Sequence, residues 1–280
     1  MPDLILDKYM NYIREEKKLS ANTVDAYIRD VVQFNDYLTK YCGEVNMLET
    51  NKTVVITYLS YLQKNGKAIS TISRNLASLR CLYQYLLNNN FILEDPTFNL
   101  KSPKSERKLP NVLNKAEIEL LISQTNIKTE KGARDKAMIQ LIYSAGLRVT
   151  EILDLNIDDL NIESGLLKLR QDSMSRILPL DKLAINSLVD YLEQYRTNSN
   201  SDEPLFTNLQ GDKLTRQGIW KIFKQYNKMA GINKDITPHI LRHSFAIHML
   251  NNGVSLTKIQ KMMGHSDLST IQSYLLIAKE

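Results

Sequence analysis

Cysteine is scarce in this chain of 280 residues, which contains only Cys42 and Cys81. The two stand far apart, without the CxxC spacing of a zinc site or the repeated spacing of a disulfide framework. Segment 1–16 carries charges throughout, so it has neither the apolar core of a signal peptide nor a membrane-spanning run. Internal repeats and low-complexity segments are also lacking. These absences predict a reduced, cytoplasmic protein.

An excess of charge of one sign is lacking as well. The formal net charge of +5 and the pI near 8.9 make the chain only mildly basic. A solvated surface explains that balance about as well as a nucleic-acid partner does. The positions of the basic residues therefore carry more information than their number.

Helical periodicity dominates residues 1–100. Apolar residues recur at steps of three and four between Ser20 and Tyr41, and again between Ser70 and Leu87. Each run is typical of one face of an amphipathic helix, and residues 20–23 supply an N-cap for the first. Two further helices are predicted over Leu4–Lys17 and Thr50–Lys64. Residues 1–100 are thus expected to form a small helical bundle with one core.

The composition changes at residues 101–110, which hold two prolines and four basic residues against one acidic residue. This pattern predicts an extended linker, which either is simply solvated or follows a phosphate backbone. Residues 111–280 are predicted to be mostly helical, with a β-hairpin over Leu166–Leu180. The predicted helices there are Lys115–Gln124, Ala133–Ser144, Leu183–Tyr195, Thr215–Ala230, Pro238–Asn251 and Leu256–Met263. The expected fold class is mainly α (α+β), a helical bundle followed by a mostly helical domain with a small antiparallel β-sheet.

Two short segments of the second domain hold residue types suited to chemistry on an anion. In Ser-Ala-Gly-Leu-Arg, a glycine turn opens a helix and places Arg148 on the same face as Glu151. In Thr-Pro-His-Ile-Leu-Arg-His, the threonine and proline begin a helix on which His239 and Arg242 lie one turn apart. Taken singly, neither segment requires a catalytic function. The first is explained by a surface ion pair between Arg148 and Glu151, and the second by a helix cap with solvated neighbours.

A third segment is Gly-His, followed nine residues after His265 by Tyr274. This tyrosine is one of 14 in the chain, and most buried tyrosines are core residues. The order of the three segments is more specific than any one of them. Gly-Leu-Arg-x-x-Glu, His-x-x-Arg-His, and Gly-His followed by Tyr together resemble the signature of the tyrosine recombinase (phage integrase) family.

The resemblance extends over essentially the whole chain. Residues 19–23, 70–74 and 214–220 are similar to other parts of the family pattern. Compactness and the lack of insertions make the chain most similar to the Xer subgroup, which resolves circular chromosome dimers. The resemblance implies the tyrosine recombinase fold, with a SAM-like, core-binding DNA domain at 1–100, a basic linker at 101–110 and a catalytic domain at 111–280.

The mechanism implied by the resemblance begins with attack of Tyr274 on a DNA phosphate. Arg148 and Arg242 would stabilise the charge on the non-bridging oxygens, since their guanidinium forks match those oxygens and stay cationic. His239 and His265 would exchange protons or donate hydrogen bonds near neutral pH. The product is a 3′-phosphotyrosyl enzyme with a free 5′-hydroxyl. We expect Glu151 to support Arg148 without a chemical role.

No cofactor or metal is expected. The phosphotyrosyl ester preserves the bond energy, so religation needs neither ATP nor metal, and the sequence contains no P-loop and no acidic metal cluster. The expected partners are double-stranded DNA and further recombinase subunits, in a homo- or hetero-tetramer on paired recombination sites. No membrane partner is expected, and the protein is predicted to be cytoplasmic and nucleoid-associated when bound to DNA.

Contacts with DNA are predicted from basic and polar residues in both domains and in the linker. We expect a C-shaped clamp around the duplex, with an affinity that falls steeply with salt. The candidate residues are Arg74, Arg80, Lys101, Lys104, Arg107, Lys108, Thr215, Arg216 and Gln217.

The sequence departs from the family pattern in the turn of the predicted hairpin. Family members usually carry a lysine there, which protonates the leaving 5′-oxygen, but Gln171 is nearest that slot. Glutamine donates a hydrogen bond but cannot give up a proton. The hypotheses are that cleavage is slow, or that Lys168 or Arg170 takes over the role.

A second departure is that only six residues follow Tyr274, where Xer-like relatives usually continue into a helix that packs on a neighbouring subunit. This predicts either weaker tetramer assembly or a shortened chain. Three functions stay open at this point besides the Xer-like role. They are a mobile-element integrase, a DNA-binding protein that has lost turnover, and a DNA-relaxing topoisomerase that uses the same chemistry.

Overall fold

The computed structural model describes residues 2–43, 45–103, 111–170, 175–197 and 199–264. The chain divides into two compact units, Met1–Arg107 and Lys108–Glu280. Each unit has its own cluster of buried apolar side chains. Among the helices of the described ranges, none combines the length and the hydropathy that a membrane crossing requires.

The first unit is a helical bundle, as the periodicity predicts. Helix α1 (Pro2–Asn11) continues into a π-helical segment (Tyr12–Glu16), and α2 (Ala21–Tyr41), α3 (Lys52–Lys64) and α4 (Ile69–Asn88) follow. The side chains of Ser20 and Asn51 accept backbone N–H bonds and so cap the starts of α2 and α3. The rings of Phe34, Tyr58 and Tyr83 are fully buried between the helices. Packing of these apolar faces is the main source of the bundle's stability.

The second unit is mostly helical and contains one small sheet, as predicted. Its helices are α5 (Lys115–Ser123), α6 (Glu130–Ala145), α7 (Val149–Asp154), a 3₁₀ turn (Ile157–Asp159), α8 (Lys182–Tyr195), α9 (Arg216–Ala230), α10 (Pro238–Asn251) and α11 (Leu256–Met263). Its strands are β1 (Leu160–Asn161), β2 (Leu166–Leu169) and β3 (Arg176–Pro179). The predicted hairpin corresponds to β2 and β3, whereas β1 is too short for a sequence pattern to indicate it.

The three strands form an antiparallel sheet in the order β1-β2-β3. In β2 and β3, Leu167 pairs with Leu178 and Leu169 pairs with Arg176. The three leucines are buried, whereas Lys168 is exposed. Side chains alternate between the faces of a strand, and paired residues share a face. Arg176 therefore lies on the buried face of the sheet, and Lys168 lies on the opposite face.

Helix α6 is buried on most of its surface and ends at Gly146. This glycine has a φ of +61°, a left-handed conformation that favours glycine. A side chain here would also overlap the ring of Phe245 in α10, so α10 approaches this turn closely. The turn leads directly to α7. The segment that carries Arg148 is thereby held against the helix that carries His239 and Arg242.

Candidate active site

Arg148 stands immediately before α7 and is bound to that helix through Glu151. The backbone N–H of Arg148 donates to Glu151 Oε2 at 2.7 Å, and its Nη1 donates to Oε1 at 2.9 Å. Its Nη2 donates to the carbonyl of Gly264 at 2.7 Å. The Arg148 side chain keeps 31% exposure. One edge of the guanidinium is therefore fixed by the protein while part of the group faces solvent.

Arg242 lies on α10, whose start is capped by the Thr237 side chain and followed by Pro238. The residue is buried, at 4% exposure. Its Nη1 donates to the carbonyl of Gly146 at 2.5 Å, and its Nη2 donates to the carbonyl of Met263 at 2.6 Å. Arg242 thus ties the turn before α7 to the end of α11.

Glu151 is a buried carboxylate that is shared by several guanidinium groups. Within the described ranges it pairs with Arg148 at 2.9 Å, with Arg176 at 2.6 Å and with Arg242 at 3.6 Å. Three cations around one anion leave an excess of about two positive charges. A cluster with that excess favours an anion nearby, and guanidinium forks match the geometry of phosphate oxygens.

Arg176 belongs to this cluster, although the sequence reasoning did not single it out. Strand alternation could have indicated its position, because Arg176 stands two residues before the apolar Leu178 and therefore lies on the same face of β3. What the sequence could not supply was the register that brings this face against Glu151.

His239 lies near the guanidinium groups of both predicted arginines. It is exposed on one side, yet the protein around the ring partly desolvates it and so lowers its pKa, and Arg242, Arg216 and Arg148 lower that pKa further. The imidazole is therefore neutral near pH 7. A neutral imidazole can accept a proton through one nitrogen and donate a hydrogen bond through the other.

Gly264 allows two guanidinium groups to approach the end of α11. It has a φ of +61°, and a Cβ at this position would overlap Nη1 of Arg176 and lie 3.4 Å from Nη1 of Arg148. The glycine of the Gly-His motif is thus required for both its backbone conformation and its lack of a side chain. His265 and Tyr274 lie outside the described residues, so their predicted roles stay predictions.

Of the hairpin residues predicted to replace the missing lysine, Lys168 faces away from the cluster and Arg170 is paired elsewhere. Lys168 is on the exposed face of β2. Arg170 pairs with Asp158 at 2.8 Å and with Asp159 at 2.6 Å, and hydrogen bonding to Asp158 raises its pKa. A guanidinium that holds its proton more tightly is a poorer acid, so the geometry favours neither residue in that role. Gln171 lies outside the described residues.

Of the predicted DNA contacts in the second unit, those at the start of α9 are exposed. Thr215 caps the helix through its side chain, which accepts the N–H of Gly218 at 3.0 Å. Arg216 and Gln217 follow it, and both are exposed. The influence of Arg216 on the pKa of His239 places its charge near the candidate site.

Two of the predicted contacts in the first unit, Arg74 and Arg80, have partners within that unit. Arg74 pairs at 2.5 Å with the buried Asp30, and Arg80 donates to the carbonyl of Leu100. Lys101 is exposed. Lys104, Arg107 and Lys108 lie outside the described residues. Arg74 therefore has a structural function whatever its function towards DNA.

The described residues contain no group of three or more His, Cys, Asp or Glu side chains that could hold a metal ion. What they do contain is a cluster of arginines with a neutral histidine, which is an arrangement for binding an anion and exchanging protons.

Comparison with known proteins decides the family. Residues 111–280 match the phage integrase family, and residues 6–90 match its N-terminal SAM-like domain. The chain belongs to the phage integrase family. The chain is 39% identical to tyrosine recombinase XerD of Listeria innocua, with 100% of this chain and 95% of the relative covered. It is 38% identical to XerD of Staphylococcus epidermidis, with 98% and 94% covered.

The fold of the chain is also similar to solved structures. A crystal structure of XerH site-specific recombinase bound to a palindromic difH substrate, in a post-cleavage complex, matches with a TM-score of 0.79 and 23% identity. The match covers 98% of this chain and 81% of that one. These comparisons confirm the family resemblance and the fold class, while the roles of the individual site residues stay predictions.

Proposed function

We propose that this protein is a Xer-type site-specific recombinase that cleaves and rejoins double-stranded DNA through Tyr274. The observation that carries the proposal is the convergence of Arg148 and Arg242 on Glu151, beside a neutral His239. The XerD relatives, which are similar over the full chain, support the same function. We further propose a tetramer on paired sites, acting in the resolution of chromosome dimers, with the protein in the cytoplasm on nucleoid DNA.

In the proposed cleavage step, the phenol oxygen of Tyr274 forms a bond to phosphorus while the bond from phosphorus to the 5′-oxygen breaks. Negative charge grows on the non-bridging oxygens, and the guanidinium groups of Arg148 and Arg242 stabilise it. Neutral His239 accepts a proton or donates a hydrogen bond, and His265 acts similarly. Attack by the freed 5′-hydroxyl of a partner strand on the phosphotyrosyl ester reverses these bond changes and joins the new strands.

We propose that the reaction needs neither metal nor ATP. The phosphotyrosyl ester retains the energy of the phosphodiester bond that it replaces, so no further energy source is required. The arginines supply the charge stabilisation that a divalent cation supplies in other phosphoryl-transfer enzymes. Cleavage in the presence of a chelator and without nucleotide tests this point, and loss of all cleavage on chelation would contradict it.

Protonation of the leaving 5′-oxygen is the weak point of the site, because Gln171 cannot give up a proton. A DNA substrate with sulfur at the 5′-bridging position needs no acid, since a thiolate leaves without protonation. We therefore expect the sulfur substrate to be cleaved much faster than the oxygen substrate. Lys168→Ala is expected to change neither rate, because Lys168 lies on the opposite face of the sheet from the cluster. Equal rates on both substrates would indicate that another residue donates the proton.

The deciding experiment is covalent trapping on nicked, duplex DNA that carries a recombination site selected from a genomic library. We expect an SDS-resistant adduct that a Tyr274→Phe variant, which still binds the DNA, does not form. A protein that only binds DNA would give no adduct. Joining of two duplexes, measured on the same substrate pair, separates a recombinase from an enzyme that only relaxes DNA.

A further inference from the structure

Arg176 is nearly buried and has more hydrogen-bond donors than the structure satisfies. Its side chain is 12% exposed, and Nη2 donates to Glu151 Oε1 at 2.6 Å. Its Nε and Nη1 are buried and have no hydrogen-bond partner within the described ranges. Burying unsatisfied donors costs stability. The pair with Glu151 does not account for a buried guanidinium that leaves two of its nitrogens unpaired, so a function besides folding is indicated.

The position of Arg176 suggests what that function is. Glu151 Oε1 accepts from both Arg148 and Arg176, at 2.9 and 2.6 Å. Nη1 of each arginine also lies against Gly264. Arg176 therefore holds the same carboxylate oxygen as Arg148 from the other side, and it packs against the turn that ends α11.

The charge balance of the cluster depends on this shared oxygen. With Arg176 present, one carboxylate is divided among three guanidinium groups. Without Arg176, a larger share of the Glu151 charge would fall to Arg148 and Arg242, and the excess among these groups would fall from about two positive charges to about one. Glu151 Oε1, no longer shared with Arg176, would then neutralise more of the charge that Arg148 offers to an anion.

We propose that Arg176 is a positioning residue for DNA cleavage. It holds Glu151 and the Gly264 turn so that Arg148 and Arg242 present their charge to the phosphate. This inference rests on the proposed function, since it assigns to Arg176 an indirect effect on the same cleavage step. Arg176 need not touch the DNA.

Three variants of the full chain test the proposal. Arg176→Met removes the charge and keeps much of the volume, while Arg176→Lys keeps the charge and loses the planar fork. Arg196→Met is the matched control, because Arg196 is a buried arginine, at 6% side-chain exposure, that pairs with Glu203 at 3.1 Å outside the cluster. Single-turnover cleavage of nicked DNA, the Kd for the same DNA and the Tm are measured for each variant, with cleavage well below the lowest Tm.

We expect Arg176→Met to lower the cleavage rate by roughly 10–100-fold, the size typical of residues that orient a catalytic group. The Kd should change by less than about twofold, because one buried charge adds little to long-range attraction by the whole surface. Arg176→Lys should recover a large part of the rate. Arg196→Met should lower the Tm and leave the cleavage rate unchanged.

A substrate with a neutral methylphosphonate at the scissile position distinguishes a positioning role of Arg176 from a purely structural one. If Arg176 only stabilised the fold, Arg176→Met would have the same cleavage defect on this substrate as on the charged one. This substrate lacks the negative charge that Arg148 and Arg242 stabilise, so the defect of Arg176→Met should shrink to within a few-fold. A defect of the same size on both substrates, or wild-type cleavage by Arg176→Met, would overturn the inference. If the wild-type chain forms no adduct at all, the proposed function fails, and this inference fails with it.

Discussion

Substitution of Gly264 by alanine should lower the rate of DNA cleavage much more than it lowers the stability of the protein. The φ of +61° at Gly264 disfavours any residue with a Cβ, and a Cβ at this position would overlap Nη1 of Arg176 and lie 3.4 Å from Nη1 of Arg148. The left-handed conformation costs a non-glycine residue roughly 1–2 kcal/mol. For a unit of this size we expect Gly264→Ala to lower the Tm by about 2–8 °C.

The effect on cleavage should be larger than this change in stability suggests. Nη1 of Arg176 is the end of a flexible side chain, so it can move away from an added methyl group at little conformational cost. That movement pulls Nη2 away from Glu151 and disturbs the pair with Arg148. The expected loss of single-turnover cleavage is roughly 10–100-fold, as for other residues that orient a catalytic group.

Gly231 provides the matched control. It ends α9 with a φ of +63°, close to that of Gly264, but apart from its chain neighbours no atom of the described residues lies within 4 Å of a Cβ built there. Gly231→Ala should therefore show a similar loss of Tm with wild-type cleavage. Thermal unfolding and adduct formation are measured on both variants. Wild-type cleavage by Gly264→Ala, or equal losses of cleavage in the two variants, would refute the reasoning.

Three further predictions follow from the described contacts. Burial, and to a smaller extent the charges of His239 and Arg242, lower the pKa of His243 to about 4. Because the unfolded chain takes up this proton near pH 6.5, the free energy of unfolding should decrease as the pH falls from about 6.5 to 4. Urea unfolding that is identical at pH 7 and pH 5 would contradict this. Arg216→Ala should weaken DNA binding and reduce the salt slope by about 1, as measured by titration at several salt concentrations. Arg74→Ala should lower the Tm, because it leaves the buried Asp30 with less compensation, and an unchanged Tm would count against that structural function.

The fold and part of the site could be predicted because their signals are local. The apolar spacing in residues 20–41 identifies α2, and the glycine turn before Arg148 indicates where α7 begins. The contact between Arg148 and Glu151 also follows from local geometry, since the two residues are three apart at the start of a helix.

The contacts that escaped prediction join residues far apart in the chain. Arg74 reaches Asp30 across 44 residues, and Arg176 reaches Glu151 across 25. The function of Arg176 depends on the strand register, on the face of β3 and on the end of α11 together. The sequence pattern of a single segment contains no information on contacts between distant segments. A basic residue at the start of a strand, such as Arg176, is therefore easily interpreted as solvated.

The cluster around Glu151 is contributed by α7, β3 and α10, and the end of α11 closes it through two carbonyl groups. These segments are spread over more than a hundred residues of chain. A fragment, a nascent polypeptide or a partly unfolded molecule cannot assemble the cluster from neighbouring residues. If the cluster acts in DNA cleavage as proposed, strand breakage requires a molecule whose second unit has finished folding.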